Sequence, residues 1–331
     1  MPLPRVPASI QVKVMADDND KLIGDSPELQ AVLRAARLVA MTDAPVLIQG
    51  ESGTGKELLA ARVHRDSPRR AGPLITVNCA ALPEALAESL LYGHRRGAFT
   101  GASADHDGYV VQAHGGTLLL DEVGELSPAV QAKLLRFLES GECQPVGQPR
   151  SVKADVRVIA ATNRDLAAEV AAGRFRQDLF YRLNVVPLTL PPLRERREDI
   201  PALLAHHSEQ VARRYGLSTP RFDKAAMQTL RAHPWPGNVR ELRNLCERLV
   251  ILCGGRDIAL DNLPIEIRNP AAAAQHGGFR LPPDGVRLDE IEVNLIRQAL
   301  AHTEGNRSRA ARLLGLTRDT LLYRLKKYAI E

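Results

Sequence analysis

Gly50-Glu51-Ser52-Gly53-Thr54-Gly55-Lys56 sets three glycines and a lysine between the apolar run Val46-Leu47-Ile48 and the helical pattern Glu57 to His64. Glycines so spaced let backbone N–H groups turn onto an anion. A following helix adds its N-terminal dipole, and the lysine reaches the outer phosphates of a nucleoside triphosphate. An ordinary connecting loop has no reason to carry this complete spacing between a strand and a helix. The next residue is Glu57, where most phosphate loops place a Ser or Thr hydroxyl on magnesium. The metal must then depend more on other groups, with Thr54 one of those at hand.

A second group follows in Thr117-Leu118-Leu119-Leu120-Asp121-Glu122. An apolar strand that delivers Asp and then Glu at its C-terminal end suits metal-assisted hydrolysis. Asp121 would hold Mg2+ and Glu122 would polarise the attacking water as general base. An isolated Asp-Glu pair is as readily a solvated strand end, but beside a phosphate loop that alternative loses its footing.

These groups must be held by a sheet. Val46–Ile48, Leu74–Val77, Thr117–Leu120 and Val156–Ile159 read as buried strands separated by helical patterns, and Val185–Leu190 as a fifth. Buried strands alternating with helices predict a mostly parallel sheet covered on both faces. Upstream, Leu29 to Leu38 has helical spacing, with Ser26 as N-cap and Pro27 at N1. Beyond Pro191-Pro192 only helices are expected. Ile200, Leu203, Leu204, His207 and Val211 share one face, and a further helix opens at Asn238 with Glu241 completing a capping box. The expected organisation is a polar leader over 1–20, an α/β unit over 21–195, a helical lid over 196–268, an Ala/Pro/Gly-rich linker over 269–285 and a last helical module over 286–331.

In that module Leu288, Ile291, Leu295, Ala299 and Leu300 form one stripe, and Gly305-Asn306 breaks the pattern. A short helix from Ser308 to Leu314 ends at Gly315, and Thr317 caps another that runs to Tyr328. Helix, Gly-containing turn and helix is the helix-turn-helix plan. From Gly305 to Ile330, seven basic residues face the single acid Asp319, a net +6 against +5 for the whole chain. The positive charge is therefore concentrated where double-stranded DNA would bind.

With 331 residues, 44% of them hydrophobic, the chain exceeds one average domain and is globular rather than disordered. Aromatics at 4% weigh against single-strand binding by base stacking. Cys79, Cys143, Cys246 and Cys253 form no C-x-x-C pair, so buried, reduced thiols are expected. Met1–Ile10, with three prolines and no apolar run, is not expected to be a secretory signal. No stretch approaches the roughly 20 apolar residues of a membrane span. The expected location is cytoplasmic.

The chain resembles the AAA+ activators of sigma-54 RNA polymerase, the bacterial enhancer-binding proteins, from about Lys21 to Ile330. The element most specific to that family is Gly97-Ala98-Phe99-Thr100-Gly101-Ala102, which holds no catalytic chemistry but suits a loop presenting an exposed Phe at an apolar tip. The resemblance implies an AAA+ P-loop ATPase with an α-helical lid and a Fis-type helix-turn-helix. It implies ATP and Mg2+ as cofactors, the signature loop as the contact to sigma-54, and hydrolysis coupled to opening of promoter complexes. It also implies that Asn78 restrains Glu122, that Asn163 follows the sensor I strand, and that Arg240 is the sensor II residue of the lid. Gly50 through Glu57, with Asp121, Asn163 and Arg240, would bind the nucleotide. Arg176 and Arg182 would act as arginine fingers on a neighbouring subunit's nucleotide, which implies a ring, usually a hexamer.

In the tail, Thr317, Arg318, Asp319 and Thr320 begin the recognition helix. Tyr323 and Arg324 add base or phosphate contacts, and Lys326 and Lys327 anchor phosphates. The chain departs from the family near Leu90 and Arg95, where acidic residues are usual, and at Pro145, where an Arg is usual. A carboxylate tying down the signature loop is therefore expected to be missing. Only about twenty residues precede the core, so no receiver domain is expected, and control would come from a separate regulatory protein or from abundance. Two other readings stand beside this one: a regulator whose nucleotide site serves assembly only, and a different P-loop enzyme such as a kinase. The intact loop, with Glu122, Asn78 and Arg176, opposes the first. The absence of a phosphoacceptor base in that loop opposes the second.

Overall fold

The computed structural model of the chain describes residues 21–99, 102–268, 287–303, 305–328 and 330. The leader and the expected linker lie outside them. Two compact units divide after Arg268.

The first unit is built on seven strands: β1 Val46–Gln49, β2 Leu74–Asn78, β3 Thr117–Asp121, β4 Glu142–Cys143, β5 Val152–Lys153, β6 Arg157–Thr162 and β7 Val186–Thr189. Five make a parallel sheet in the order β2-β3-β6-β1-β7, and β4 and β5 form a small antiparallel pair. Val46, Leu47 and Ile48 are wholly buried, as a strand covered on both faces requires. β7 carries Pro187 opposite Leu47 and lies at the sheet edge, where a missing N–H leaves no broken ladder bond.

Helices α1 Pro27–Ala40 and α2 Lys56–Arg65 cover one face through Leu29, Leu33, Leu59 and Val63. The other face is covered by α3 Glu84–Tyr92, α4 Tyr109–Gln112, α5 Pro128–Ser140, α6 Leu166–Ala171 and α7 Gln177–Leu183, packed through residues such as Leu91, Leu134 and Leu179. Ser26 precedes α1 as expected, but its hydroxyl does not cap that helix and instead donates to Asp199 Oδ2 at 2.7 Å. β6 begins at Arg157, not Val156. The Arg157 side chain is buried and donates to the Val39 and Ala40 carbonyls, completing the C-terminal end of α1.

The lid consists of α8 Ile200–Tyr215, α9 Lys224–Ala232, α10 Asn238–Cys253 and α11 Ile265–Arg268, around Leu203, Leu230, Trp235 and Leu249. On α8 the buried position expected for His207 belongs to Ser208, and His207 is only half-buried. The four cysteines are free and buried.

The second unit contains α12 Leu288–His302, α13 Arg307–Leu313 and α14 Arg318–Lys327. Asn306 caps α13, accepting the Arg309 N–H, and Thr317 caps α14, accepting the Thr320 N–H. The core is Ile296, Ala299, Ala310, Ala311, Leu321 and Leu325. The expected α12 stripe is rotated: Leu288 and Leu295 are exposed, and Ile296 is buried with Ala299 in the cluster formed with Ala310, Ala311, Leu321 and Leu325. Among the described residues no helix is long and apolar enough to cross a membrane.

Candidate functional site

The sheet brings the predicted residues to one edge. The glycine-rich loop leaves the C-terminal end of β1, Asp121 ends β3, Thr162 ends β6, and Asn78 lies in register with Asp121 at the end of β2. This carboxyl edge, where the strand order reverses between neighbouring connections, is where open α/β sheets bind their ligands.

Lys56 opens α2 behind Gly55 in a left-handed conformation. Its ammonium donates to the Gly50 carbonyl at 2.9 Å and lies 3.8 Å from Glu122 Oε1. Glu122 has φ +52°, a backbone state that non-glycine residues rarely hold and that clusters at functional sites. Its other oxygen accepts the Asn163 N–H at 3.1 Å. Asn78 accepts the Ala80 N–H through its amide oxygen and makes no hydrogen bond to Glu122 in this conformation; the Asn163 backbone N–H donates to the carboxylate instead.

Asp121 supplies a test of metal fitness. It is buried, Oδ1 has no hydrogen-bond partner among the described residues, and burial with the neighbouring Glu57 and Glu122 carboxylates pushes its pKa up to about 6, against the opposing pull of Lys56. A buried acceptor among like charges fits a divalent cation, and Glu57 stands beside it in place of the usual hydroxyl residue. Thr54 turns away, donating to the Glu51 carbonyl at 2.8 Å.

The cleft is closed by segments that motif spacing does not reveal. Leu22 and Ile23 line it from before α1, Arg196 from the lid approach, and His206 and His207 from α8. Arg196 is buried and donates to the Thr54 carbonyl at 3.0 Å. From the lid, Arg240 donates to Ser52 Oγ at 2.7 Å and the Val239 N–H donates to the Gly53 carbonyl at 3.0 Å. Gly53, at φ +80°, has no room for a side chain, since a Cβ would stand 2.4 Å from the Gly237 carbonyl oxygen. Asn238 does not cap α10. Gly237 takes that position and receives Glu241, while the buried Asn238 side chain reaches the phosphate loop.

Arg176 and Arg182 do not line this cleft. Arg176 is exposed and pairs with Asp178 at 2.7 Å, and Arg182 donates to the Leu138 carbonyl. Of the signature loop, Gly97, Ala98, Phe99 and Ala102 are described, and Thr100 and Gly101 lie outside the described residues. Phe99 is not an exposed tip here: it is half-buried and meets the His94 ring edge-on at 5.0 Å.

The expectation of a missing carboxylate is also corrected. Arg95 pairs with Asp105 at 3.2 Å and donates to Gln148 at 2.9 Å, while the Arg96 N–H binds the same aspartate. The loop base is thus tied with its charges arranged cation first and carboxylate after. The segment following Pro145 supplies Gln148 to that base.

In the second unit, Arg318, Asp319, Tyr323, Lys326 and Lys327 are exposed, as a contact surface requires. Thr317 and Thr320 share a hydroxyl hydrogen bond at 2.7 Å. Arg324 is half-buried and paired with Glu292 of α12, which also accepts from the Tyr328 hydroxyl at 2.6 Å.

Residues 22–189 match the Sigma-54 interaction domain, residues 194–278 the AAA+ ATPase lid domain, and residues 287–328 the bacterial regulatory proteins of the Fis family. The chain is 50% identical over 307 residues to the transcriptional regulatory protein ZraR of Klebsiella oxytoca, covering 92% of this chain and 68% of that protein. It is 43% identical over 345 residues to the DNA-binding transcriptional regulator NtrC of Rhizobium meliloti, covering 96% and 71%. A crystal structure of NtrX from Brucella abortus in complex with ATP aligns with a TM-score of 0.74 at 36% identity, over 93% of this chain and 69% of that one.

Proposed function

The chain belongs to the sigma-54-interacting AAA+ activators with a Fis-type DNA-binding unit, and from that membership we propose how its residues divide the work. It is an ATP-binding ATPase that activates transcription and binds DNA. The observation that carries the assignment of roles is the placement of Lys56 3.8 Å from Glu122 at the sheet edge where Asp121 also ends.

Lys56 neutralises the outer phosphates, Asp121 with Glu57 holds Mg2+, and Glu122 accepts a proton from the attacking water. Mg2+ supplies charge neutralisation at the phosphates when bound. The Asp121 oxygen without a partner among the described residues favours that role. Asn78 and Asn163 compete for Glu122, so the carboxylate is held back until it is handed to water. Arg240 reports nucleotide to the lid through Ser52.

The active unit is a ring, with a hexamer the expected size. Arg176 and Arg182 serve the neighbour's nucleotide, a reading supported by their absence from their own chain's cleft lining. The loop Gly97–Ala102 contacts sigma-54 and the ring works in the cytoplasm on RNA polymerase bound to promoter DNA. Thr317, Arg318, Asp319 and Thr320 read base edges, with Tyr323, Lys326 and Lys327 on the backbone.

The test is open-complex formation by the purified chain with sigma-54 RNA polymerase and a promoter carrying an upstream site. Thr100→Ala should hydrolyse ATP without opening the promoter. Normal opening by Thr100→Ala sinks the loop assignment, and opening without hydrolysable ATP sinks the motor.

A further inference from the structure

A carboxylate in a loop that must hold a polyphosphate works against its own site unless it is neutralised and turned away. Glu51 is such a residue, one position past Gly50, and two residues from the lid approach hold it. Arg194, in the 3-10 turn Leu193–Glu195 that leads into the lid, grips Glu51 with both guanidinium arms, at 2.8 Å and 2.6 Å. Asn238, the first residue of α10, donates to the same carboxylate and to the Ser52 carbonyl, each at 3.1 Å. Its amide oxygen accepts the Leu193 N–H at 2.8 Å, so one buried side chain joins the lid approach, the lid helix and the phosphate loop.

Asn238 holds φ +51°, and Trp235 three residues earlier holds φ +50°. Two non-glycine residues in that region within one turn mark backbone kept in place by what it contacts. The pairing with Arg194, then the Asn238 bond, also holds the Glu51 carboxyl below its ordinary pKa.

We propose that Arg194 and Asn238 are positioning residues that act through Glu51, neutralising it and fixing the turn 51–53, so that ATP affinity depends on how the lid is seated. The proposal rests on the assignment of the cleft to ATP. It gives Glu51 a task separate from phosphate contact: without its partners, the carboxylate opposes the incoming nucleotide.

The experiment measures ATPase kinetics and melting temperature for the full chain. Arg194→Ala should raise the KM for ATP about threefold to tenfold, a range set by a half-exposed pair, with kcat falling by less. Adding Glu51→Gln to Arg194→Ala should lower that KM toward the wild-type value, because the unpaired charge is removed. A merely structural pair moves the melting temperature and gives no such rescue. An unchanged KM in folded Arg194→Ala, or a double variant whose KM is no lower than the single, overturns the proposal. If Arg194→Ala fails to fold, Arg194→Gln gives the same reading, since it keeps a donor without the charge. Failure of the wild-type chain to bind ATP at all would instead overturn the cleft assignment.

Discussion

Lys56 Nζ lies 3.8 Å from Glu122 Oε1 while donating to the Gly50 carbonyl. The cation placed for phosphate and the carboxylate placed for water are thus in each other's field. Glu122→Gln removes the base while leaving a neutral side chain of nearly the same shape. Hydrolysis should fall about 10²- to 10⁴-fold with ATP binding retained. Steady-state hydrolysis and nucleotide titration check this, and loss of binding in parallel with hydrolysis would argue for a structural role.

Asp121 is costly to the fold because its buried carboxylate oxygen lacks a partner among the described residues. Asp121→Asn should raise the melting temperature measured without nucleotide by about 2–4 °C, for roughly 1 kcal/mol of relief. The same variant should lose Mg2+-dependent hydrolysis. A drop in melting temperature would mean that the site gains more from the charge than burial takes away.

Arg176 is tied to its own chain's Asp178, outside the cleft. Arg176→Ala and Arg182→Ala should each lower hydrolysis by about 10³-fold or more if they serve as fingers. Mixing Arg176→Ala chains with Glu122→Gln chains should restore part of the activity, since some interfaces then pair an intact Glu122 with an intact Arg176. No recovery at any ratio would place the finger in its own chain's site.

His233 Nδ1 accepts the Trp235 N–H at 3.2 Å, and burial lowers its pKa below the ordinary 6.5. The unfolded chain therefore takes up the proton first, and stability present above about pH 6.5 is lost as pH falls through the lowered value. His233→Asn keeps an acceptor that does not titrate. The melting temperature advantage of wild type over this variant should shrink from pH 8 to pH 5. A gap independent of pH would remove His233 as the cause.

Lys326 is exposed at the end of α14, whereas Arg324 is engaged by Glu292. Lys326→Ala should weaken all DNA sequences alike and reduce the salt slope of binding by about 1. Arg318→Ala should instead relax sequence preference. Arg324→Ala should lower the stability of the three-helix unit, and an unaltered melting profile with lost DNA affinity would return Arg324 to the contact surface.

Much of the framework was legible in the residues. All five expected sheet strands form, because uninterrupted apolar runs such as Val46–Ile48 are stable only when both faces are covered. The helix starts at Pro27 and Thr317 also follow local rules. The structure departs from the residue pattern where two patterns compete for one residue. Asn238 has a helix-capping side chain by type, yet it is drawn to Glu51 and Ser52 by a turn that packs on Gly53. Leu295 fits the apolar stripe of α12 as well as Ile296 does, and only the packing of α12 against α13 and α14 selects between them.

The sequence by itself determined the chemistry of the cleft, since the phosphate loop and the Asp121-Glu122 strand end require particular residue types at short, local spacing. It also determined the basic tail and the family-specific loop. Tertiary structure decided which distant groups complete them: Asn163 on Glu122, Arg194 and Asn238 on Glu51, and Asp105 on Arg95. Those pairings depend on charge and burial between segments 10 to 187 residues apart. No spacing rule reaches that far, and only the packed sheet and lid bring such groups within hydrogen-bonding distance.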